Sequence, residues 1–163
     1  MFTLQLNTAY TFNLTGELQF GPIAEDHLYE MFKDGRICST PMSRIFEQVF
    51  YDLEYVDEKG YDFIHPLFPF IEQKQITANG LKFAPSSMIG AKRKCDRALV
   101  ENHVQQLDLH YLLADITQFP IVRVALLPGV RLLDDCHNQT CSYSLPNALR
   151  LFKDATQSQQ KCS

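Results

Sequence analysis

Two apolar runs in the second half of the chain place the strongest limit on its fold. Residues 110–116 (HYLLADI) and 121–127 (IVRVALL) each have the length of a strand, and a break at Phe119-Pro120 separates them. Short apolar runs bounded by a turn signal are typical of buried strands. The predicted order along the chain is hairpin, helix, helix, strands, helix, strands. This order favours an α/β fold in which helices flank a mixed central β-sheet.

Local patterns predict where the other elements lie. Residues 2–21 alternate apolar and polar side chains up to a Gly-Pro turn, which predicts an N-terminal β-hairpin. Pro41 suits the first turn of a helix with Ser39 or Thr40 as its cap, so a core helix is predicted over 41–53. Further helices are predicted over 24–33, 86–106 and 147–152, two strands around a Lys59-Gly60 turn within 54–64, and strands over 68–77 and 130–133.

The composition fits one globular domain. Of the 163 residues, 45% are hydrophobic and 21% charged. A chain of this length can bury a stable core without disulfides or a structural metal. We predict a single domain with its core over about 25–133, the hairpin before it and an extension over 134–163. The formal charge of −4 argues against a nonspecific nucleic-acid coat, but it allows an enzyme that meets DNA through one local basic surface.

Membrane, secretion and disulfide signals are weak in this sequence. No apolar run approaches the ~20 residues of a membrane span, and the N-terminus lacks a basic start followed by an apolar stretch. We therefore expect a protein that stays inside the cell, where five scattered cysteines favour free thiols. Cys136, His137 and Cys141 have part of the spacing of a zinc site but lack a second half, so the sequence leaves metal binding there open.

The segment 60–77 (GYDFIHPLFPFIEQKQIT) carries the residues best suited to chemistry. Nine residues separate Asp62 from Glu72, and Lys74 follows two positions later. Strand geometry places Glu72 and Lys74 on one face, with Gln73 on the opposite face. A turn near 66–69 would bring Asp62 beside them. An acid-x-Lys pair is common on solvated strands, but the apolar residues around this pair indicate a buried strand, where charges are costly without a purpose.

Two converging carboxylates repel each other unless a divalent cation lies between them. Mg²⁺, with Mn²⁺ as an alternative, accepts one or two protein carboxylates and binds phosphate oxygens. Asp62 and Glu72 are the predicted ligands, and the backbone carbonyl of Gln73 is the candidate third ligand. Lys74 would orient or activate a water and offset charge that grows on phosphorus.

The spacing Asp62…Glu72-Gln73-Lys74 resembles the PD-(D/E)XK nuclease superfamily, which includes type II restriction endonucleases and some homing endonucleases. Tyr61 stands where the family name has proline. The resemblance covers about residues 25–133 and includes the helix before Asp62, the helix after Lys74 and two apolar strands beyond. It implies a Mg²⁺-dependent, site-specific double-stranded DNA endonuclease in a restriction, homing or phage-encoded role. Glu47 is similar to an accessory acid that some members use, here as a further metal ligand.

The resemblance also implies an oligomeric state and a mode of DNA binding. The resemblance implies a homodimer, because two active sites are needed to cut both strands. A catalytically inactive DNA-binding module and an RNA-processing nuclease of the same fold remain alternatives. Phosphate contacts are expected from a basic cluster with serines that can cap a helix, and from a similar but weaker set at the preceding helix. The candidates are Lys82, Ser86, Ser87, Lys92, Arg93 and Lys94, with Ser39, Ser43 and Arg44 as the weaker set.

Overall fold

A computed structural model describes residues 1–14, 22–85, 88–89, 95–136, 140–153 and 155–157, with the main chain alone for residues 57, 156 and 157. The helices are α1 (Glu25–Phe32), α2 (Gly35–Val49), α3 (Arg97–Leu107), α4 (Gly129–Asp135) and α5 (Leu145–Arg150). The strands are β1 (Thr8–Asn13), β2 (Glu54–Glu58), β3 (Tyr61–Ile64), β4 (Ile71–Ile76), β5 (Leu81–Lys82), β6 (His110–Gln118), β7 (Ile121–Pro128), β8 (Ser142–Tyr143) and β9 (Thr156–Gln157).

One mixed sheet organises the chain. Its strand order is β2-β3-β4-β6-β7-β1-β9, and β5 pairs with β8 in a small second sheet. The β4–β6 and β1–β9 pairs are parallel, and the remaining pairs are antiparallel. Parallel neighbours need a crossover connection, and α3 lies in the connection from β4 to β6. The predicted fold class, a mixed sheet flanked by helices, is confirmed.

Helices cover both faces of this sheet. Helix α2 packs on one face, which we call the α2 face, while α3 and α4 pack on the other, the α3 face. Strand β6 is buried on both faces, because Leu112 and Ala114 lie on the α2 face and Tyr111 and Leu113 on the α3 face. This explains why its sequence reads as a continuous apolar run rather than an alternating one.

The N-terminal strand β1 is present, but its pairing differs from the predicted hairpin. It pairs with β7 and β9 rather than with another strand of the described N-terminal residues. Residues 2–6 make single bridges instead, from Phe2 to Phe50 and from Leu6 to Leu126. Asn7, with φ of 55°, turns the chain into β1. The second half of the predicted hairpin, 15–21, lies outside the described residues.

The start of α2 was predicted wrongly. The helix begins at Gly35, six residues before Pro41, because the Asp34 carboxylate accepts the Arg36 N–H at 2.9 Å and caps the first turn. Pro41 lies inside the helix and removes one intrahelical hydrogen bond. Burial of Cys38 and Met42 against the sheet offsets that loss.

The start of α3 and the type of α4 also differ from the predictions. Helix α3 begins at Arg97, where Asp96 accepts the Ala98 N–H at 3.0 Å, and not at residue 86. The segment over 130–133 is part of α4 and not a strand. An apolar run this short has no decisive period, and burial of two adjacent leucines suits either element. The strands predicted within 54–64, 68–77, 110–116 and 121–127 are confirmed.

Gly80 shapes the turn that follows β4. Its φ is +89°, and a Cβ there would lie 2.1 Å from the Tyr143 carbonyl oxygen. We expect Gly80→Ala to lower the free energy of unfolding by about 2–4 kcal/mol, because it adds left-handed strain to a backbone clash. Gly35→Ala is the control, since its Cβ would meet only side-chain atoms, of Thr77 at 3.2 Å and of Gln75 at 3.4 Å, and should change stability by less than about 1 kcal/mol. Equal urea midpoints for both variants would contradict the turn assignment.

Candidate active site

Asp62 lies where β3 and β4 separate. These strands share one registered pair, Phe63 with Ile71. Next to that pair, the Asp62 Oδ2 atom accepts the Gln73 N–H at 2.6 Å. A side-chain carboxylate therefore supplies the acceptor that a neighbouring strand would otherwise supply. This contact brings the first predicted acid to the backbone of the Glu72-Gln73-Lys74 segment, across a separation of eleven positions.

Glu72 and Lys74 form an ion pair on the α3 face. The Lys74 ammonium contacts the Glu72 Oε1 atom, as the predicted alternation of β4 requires. The Glu72 side chain is 8% exposed and that of Lys74 is 15% exposed, so water screens the pair poorly. Asp62 and the ion pair thus adjoin the same stretch of β4, Asp62 through the Gln73 N–H and the ion pair through residues 72 and 74 of the strand itself.

The Gln73 side chain points the other way, toward α2. Its Oε1 atom accepts a hydrogen bond from the Ser43 hydroxyl at 3.1 Å, and its amide donates to the Ser39 carbonyl at 3.2 Å. Ser43 is 3% exposed. Ser39 and Ser43 were predicted as phosphate contacts at a helix start, but the structure places them within α2, where they bind β4.

Glu47 and Arg44 also lie apart from the three predicted catalytic residues. Glu47 Oε1 accepts the Tyr55 N–H at 3.2 Å, and its Oε2 atom accepts from Arg44 at 3.1 Å. The Arg44 guanidinium lies 4.5 Å from the centre of the Tyr55 ring. Both side chains connect α2 to β2 at the edge of the sheet, so the structure does not bring Glu47 to Asp62 and Glu72.

The predicted basic surface is only partly described. Lys82 is half-buried in β5, which pairs with β8. The remaining candidates, Ser86, Ser87, Lys92, Arg93 and Lys94, lie outside the described residues. In sequence they fall between β5 and α3, and both of these elements pack on the α3 face, the face of Glu72 and Lys74.

The oxygen donors around Gln73 are of the type that a hard divalent cation prefers. They are the carboxylates of Asp62 and Glu72 and the main-chain carbonyl of Gln73. Because the N–H and C=O of one strand residue point to the same side, the Gln73 carbonyl is expected on the side of β4 that faces Asp62. Within the described residues, no group of three or more His, Cys, Asp or Glu side chains could hold a metal ion. Any cation here would therefore need the main-chain carbonyl, water or phosphate oxygens to complete its coordination.

His65, three positions after Asp62 in the sequence, belongs to a different contact. Its Nδ1 atom accepts the N–H groups of Leu67 and Phe68 at 3.1 and 3.3 Å. Its Nε2 atom lies 3.1 Å from Asp52 Oδ2, in an orientation that falls short of a hydrogen bond. Asp52 in turn accepts the Leu4 N–H. The imidazole connects the N-terminal segment to the loop after β3 and is not part of the candidate site.

Tyr111 is the neighbour of the site that sequence reasoning missed. It is the register partner of Glu72 across the parallel β4–β6 pair and is fully buried. Its hydroxyl has no hydrogen-bond partner among the described residues. Burial raises the pKa of Tyr111, and the charge of Glu72 raises it further, so the hydroxyl stays protonated. The one sequence signal was the hydroxyl of Tyr111 within the apolar run 110–116, and that signal gains meaning only once Tyr111 is known to pair with Glu72.

Only two members of the partial zinc pattern, Cys136 and Cys141, lie in the described part of the chain. Cys136 and Cys141 are buried, and His137 lies outside the described residues. Cys141 is hydrogen-bonded to Cys95, and burial with this contact raises the pKa of Cys141 to about 12.

In comparisons with protein-family models, curated proteins and solved structures, no family model, protein or structure matches the chain. The resemblance to nucleases therefore depends on the residues and on the order of the elements that carry them. Among the described helices, none is both long enough and apolar enough to cross a bilayer.

The Ser43 hydroxyl should matter for stability. Ser43→Ala leaves the buried Gln73 Oε1 atom without this donor, so we expect a loss of about 1–3 kcal/mol in the free energy of unfolding. Thr40→Ala, at an exposed position of the same helix, is the control and should change stability by less than about 0.5 kcal/mol. Chemical denaturation measures both. A Ser43→Ala variant as stable as the control would show that this contact does not secure β4.

Thiol labelling tests the burial of the cysteines. Burial raises the pKa of Cys38 to about 12, and Cys141 reaches about the same value, so at pH 8 both are thiols shielded from solvent. Iodoacetamide should modify the half-buried Cys95 in the native protein and leave Cys38 and Cys141 unmodified, as read by peptide mass spectrometry. Protein labelled in guanidinium chloride is the control and should react at all five cysteines. Native labelling of Cys38 at the Cys95 rate would contradict its burial between α2 and the sheet.

Proposed function

We propose that the chain is a Mg²⁺-dependent endonuclease that hydrolyses phosphodiester bonds in double-stranded DNA. The observation that carries this proposal is the contact between Asp62 Oδ2 and the Gln73 N–H at 2.6 Å. It brings Asp62 of β3 to the backbone between Glu72 and Lys74 of β4, at the point of the sheet where the two strands separate. The site-specific action, the homodimer and the location inside a bacterial or phage-infected cell belong to the same proposal.

Each residue has a role that follows from its position. Asp62, Glu72 and the Gln73 carbonyl would hold Mg²⁺, which when bound supplies a Lewis acid for the phosphate and a more acidic water. The Lys74 ammonium contacts Glu72, and Lys74 directly follows Gln73 in β4. From this position it can orient the attacking water. The same positive charge stabilises the negative charge that grows on the phosphoryl oxygens. Poor exposure of the pair strengthens both effects.

The order of elements supports the proposal. The structure has a helix (α2), the Asp62 strand (β3), the Glu72-Lys74 strand (β4), a helix (α3) and two apolar strands (β6 and β7). This is the order expected from the resemblance to the nuclease superfamily. The parallel β4–β6 pair also places Lys74 on an interior strand, where its backbone is fixed on one side by six registered pairs.

The ion pair between Glu72 and Lys74 favours a second candidate, a catalytically inactive DNA-binding module. Lys74 already neutralises Glu72, and a satisfied pair can persist for structural reasons alone. This module would bind duplex DNA in the absence of Mg²⁺ and leave it uncut. The two candidates differ in whether the lysine charge is needed for a reaction.

Cleavage of duplex DNA tests the leading proposal. The purified protein with Mg²⁺ should cut long duplex DNA into discrete fragments, and EDTA should abolish the cutting. Lys74→Gln removes the charge but keeps a hydrogen-bonding group beside Glu72, so we expect the rate to fall by about 100-fold or more. Gel electrophoresis with a time course gives the rates, and sequencing of fragment ends gives the target.

Lys33→Ala is the matched control, because it removes one lysine whose partner is the exposed Glu30. It should cut at the wild-type rate. Cutting by folded Lys74→Gln at that rate would show that the site is elsewhere. Binding of duplex DNA without any cutting by the wild-type protein would support the binding module instead.

A further inference from the structure

The buried hydroxyl of Tyr111 is an unusual feature on the α3 face. A tyrosine inside a core normally donates its hydroxyl proton to an acceptor. Tyr143, which packs against the same Phe83 ring, follows this rule and donates to the Leu132 carbonyl at 2.6 Å. Tyr111 is at least as deeply buried, yet its hydroxyl finds no acceptor among the described residues. A phenylalanine would fill this space without leaving a polar atom unpaired.

The Tyr111 ring is fixed in place. The Phe83 ring meets it edge to face, with centroids 5.9 Å apart. Gly129 approaches so closely that a Cβ there would lie 3.2 Å from Tyr111 Cε2. A ring packed in this way cannot swing toward a distant acceptor. An acceptor for its hydroxyl must therefore come from groups that already lie near it.

Glu72 is the charged group best placed to be that acceptor. It is the register partner of Tyr111 on the adjacent parallel strand, and both side chains lie on the α3 face. Neighbouring strands lie about 4.8 Å apart, so partner side chains on one face are direct neighbours. In the structure the Glu72 carboxylate is engaged by Lys74. When Lys74 turns to a phosphate, that carboxylate loses a donor in a poorly solvated place.

The geometry points to Tyr111 as a positioning residue for Glu72: its hydroxyl donates to the Glu72 carboxylate once Lys74 engages the phosphate of the substrate. This inference rests on the proposed function and deepens it. Tyr111 takes no part in the chemistry. It keeps the carboxylate oriented toward the cation while the lysine acts elsewhere, as a group behind a metal ligand typically does.

Tyr111→Phe, which removes the hydroxyl alone, tests this role with Tyr143→Phe as the matched control. We expect Tyr111→Phe to leave the thermal midpoint of the metal-free protein unchanged or raised, because an unpaired buried hydroxyl is lost. Its dissociation constant for Mn²⁺, measured by calorimetry, should rise about 10-fold. Its kcat for DNA cleavage should fall by a similar factor at an unchanged KM. Tyr143→Phe should lower the thermal midpoint and keep wild-type Mn²⁺ affinity and kcat.

The outcomes separate this inference from the function on which it rests. If the wild-type protein cuts DNA and Tyr111→Phe matches it in kcat and in Mn²⁺ affinity, the inference is overturned and the nuclease proposal stands. If the wild-type protein binds Mn²⁺ but cuts no DNA, weaker Mn²⁺ binding by Tyr111→Phe supports the inference while the nuclease proposal fails. If the wild-type protein neither binds Mn²⁺ nor cuts DNA, both fail.

Discussion

The anchoring of Gln73 from two sides is the constraint on which the rest of the candidate site depends. Its side chain is bound by Ser39 and Ser43 of α2, and its backbone N–H is bound by Asp62 of β3. One residue therefore fixes the distance between a helix, a strand end and the middle of β4. Because successive strand residues point to opposite faces, fixing Gln73 toward α2 also fixes Glu72 and Lys74 toward α3.

The placement of a Glu–Lys pair on that face is hard to explain by stability alone. Removing two charges from water is expensive, and an apolar pair of similar size often serves a core equally well. Ile76, the next residue of β4 on the same face, is such an apolar residue and is fully buried. The chain thus places charges at two positions of a strand whose third position packs as ordinary core. Beside them lies the Tyr111 hydroxyl, which has no hydrogen-bond partner among the described residues, so this part of the sheet carries three polar groups where a core usually has apolar ones.

The parts of this fold that the sequence predicts are those that depend on the spacing of apolar residues along the chain. Alternation located β3 and β4 and placed Glu72 and Lys74 on one face, and the uninterrupted run over 110–116 marked a strand buried on both faces. The starts of α2 and α3 depend on single capping carboxylates, Asp34 and Asp96, which look like any other acid in the sequence. Tyr111 was hidden for the opposite reason, since inside an apolar run it reads as core, and its role depends on register with a strand about forty residues away.

The predicted DNA contacts that the structure describes lie on both faces of the sheet. Ser39, Ser43 and Arg44 lie on α2, where the first two bind β4 and the third stacks on Tyr55. Lys82 belongs to β5, which packs on the α3 face with Glu72 and Lys74, and the basic segment 92–94 lies outside the described residues. In the proposed nuclease, a duplex would have to reach the ammonium of Lys74 and the half-buried Asp62 at the same time, and α2 lies across the sheet from Lys74. For the proposed nuclease, a DNA surface would therefore be expected on the α3 side and at the open end of β3, while α2 holds β4 in place.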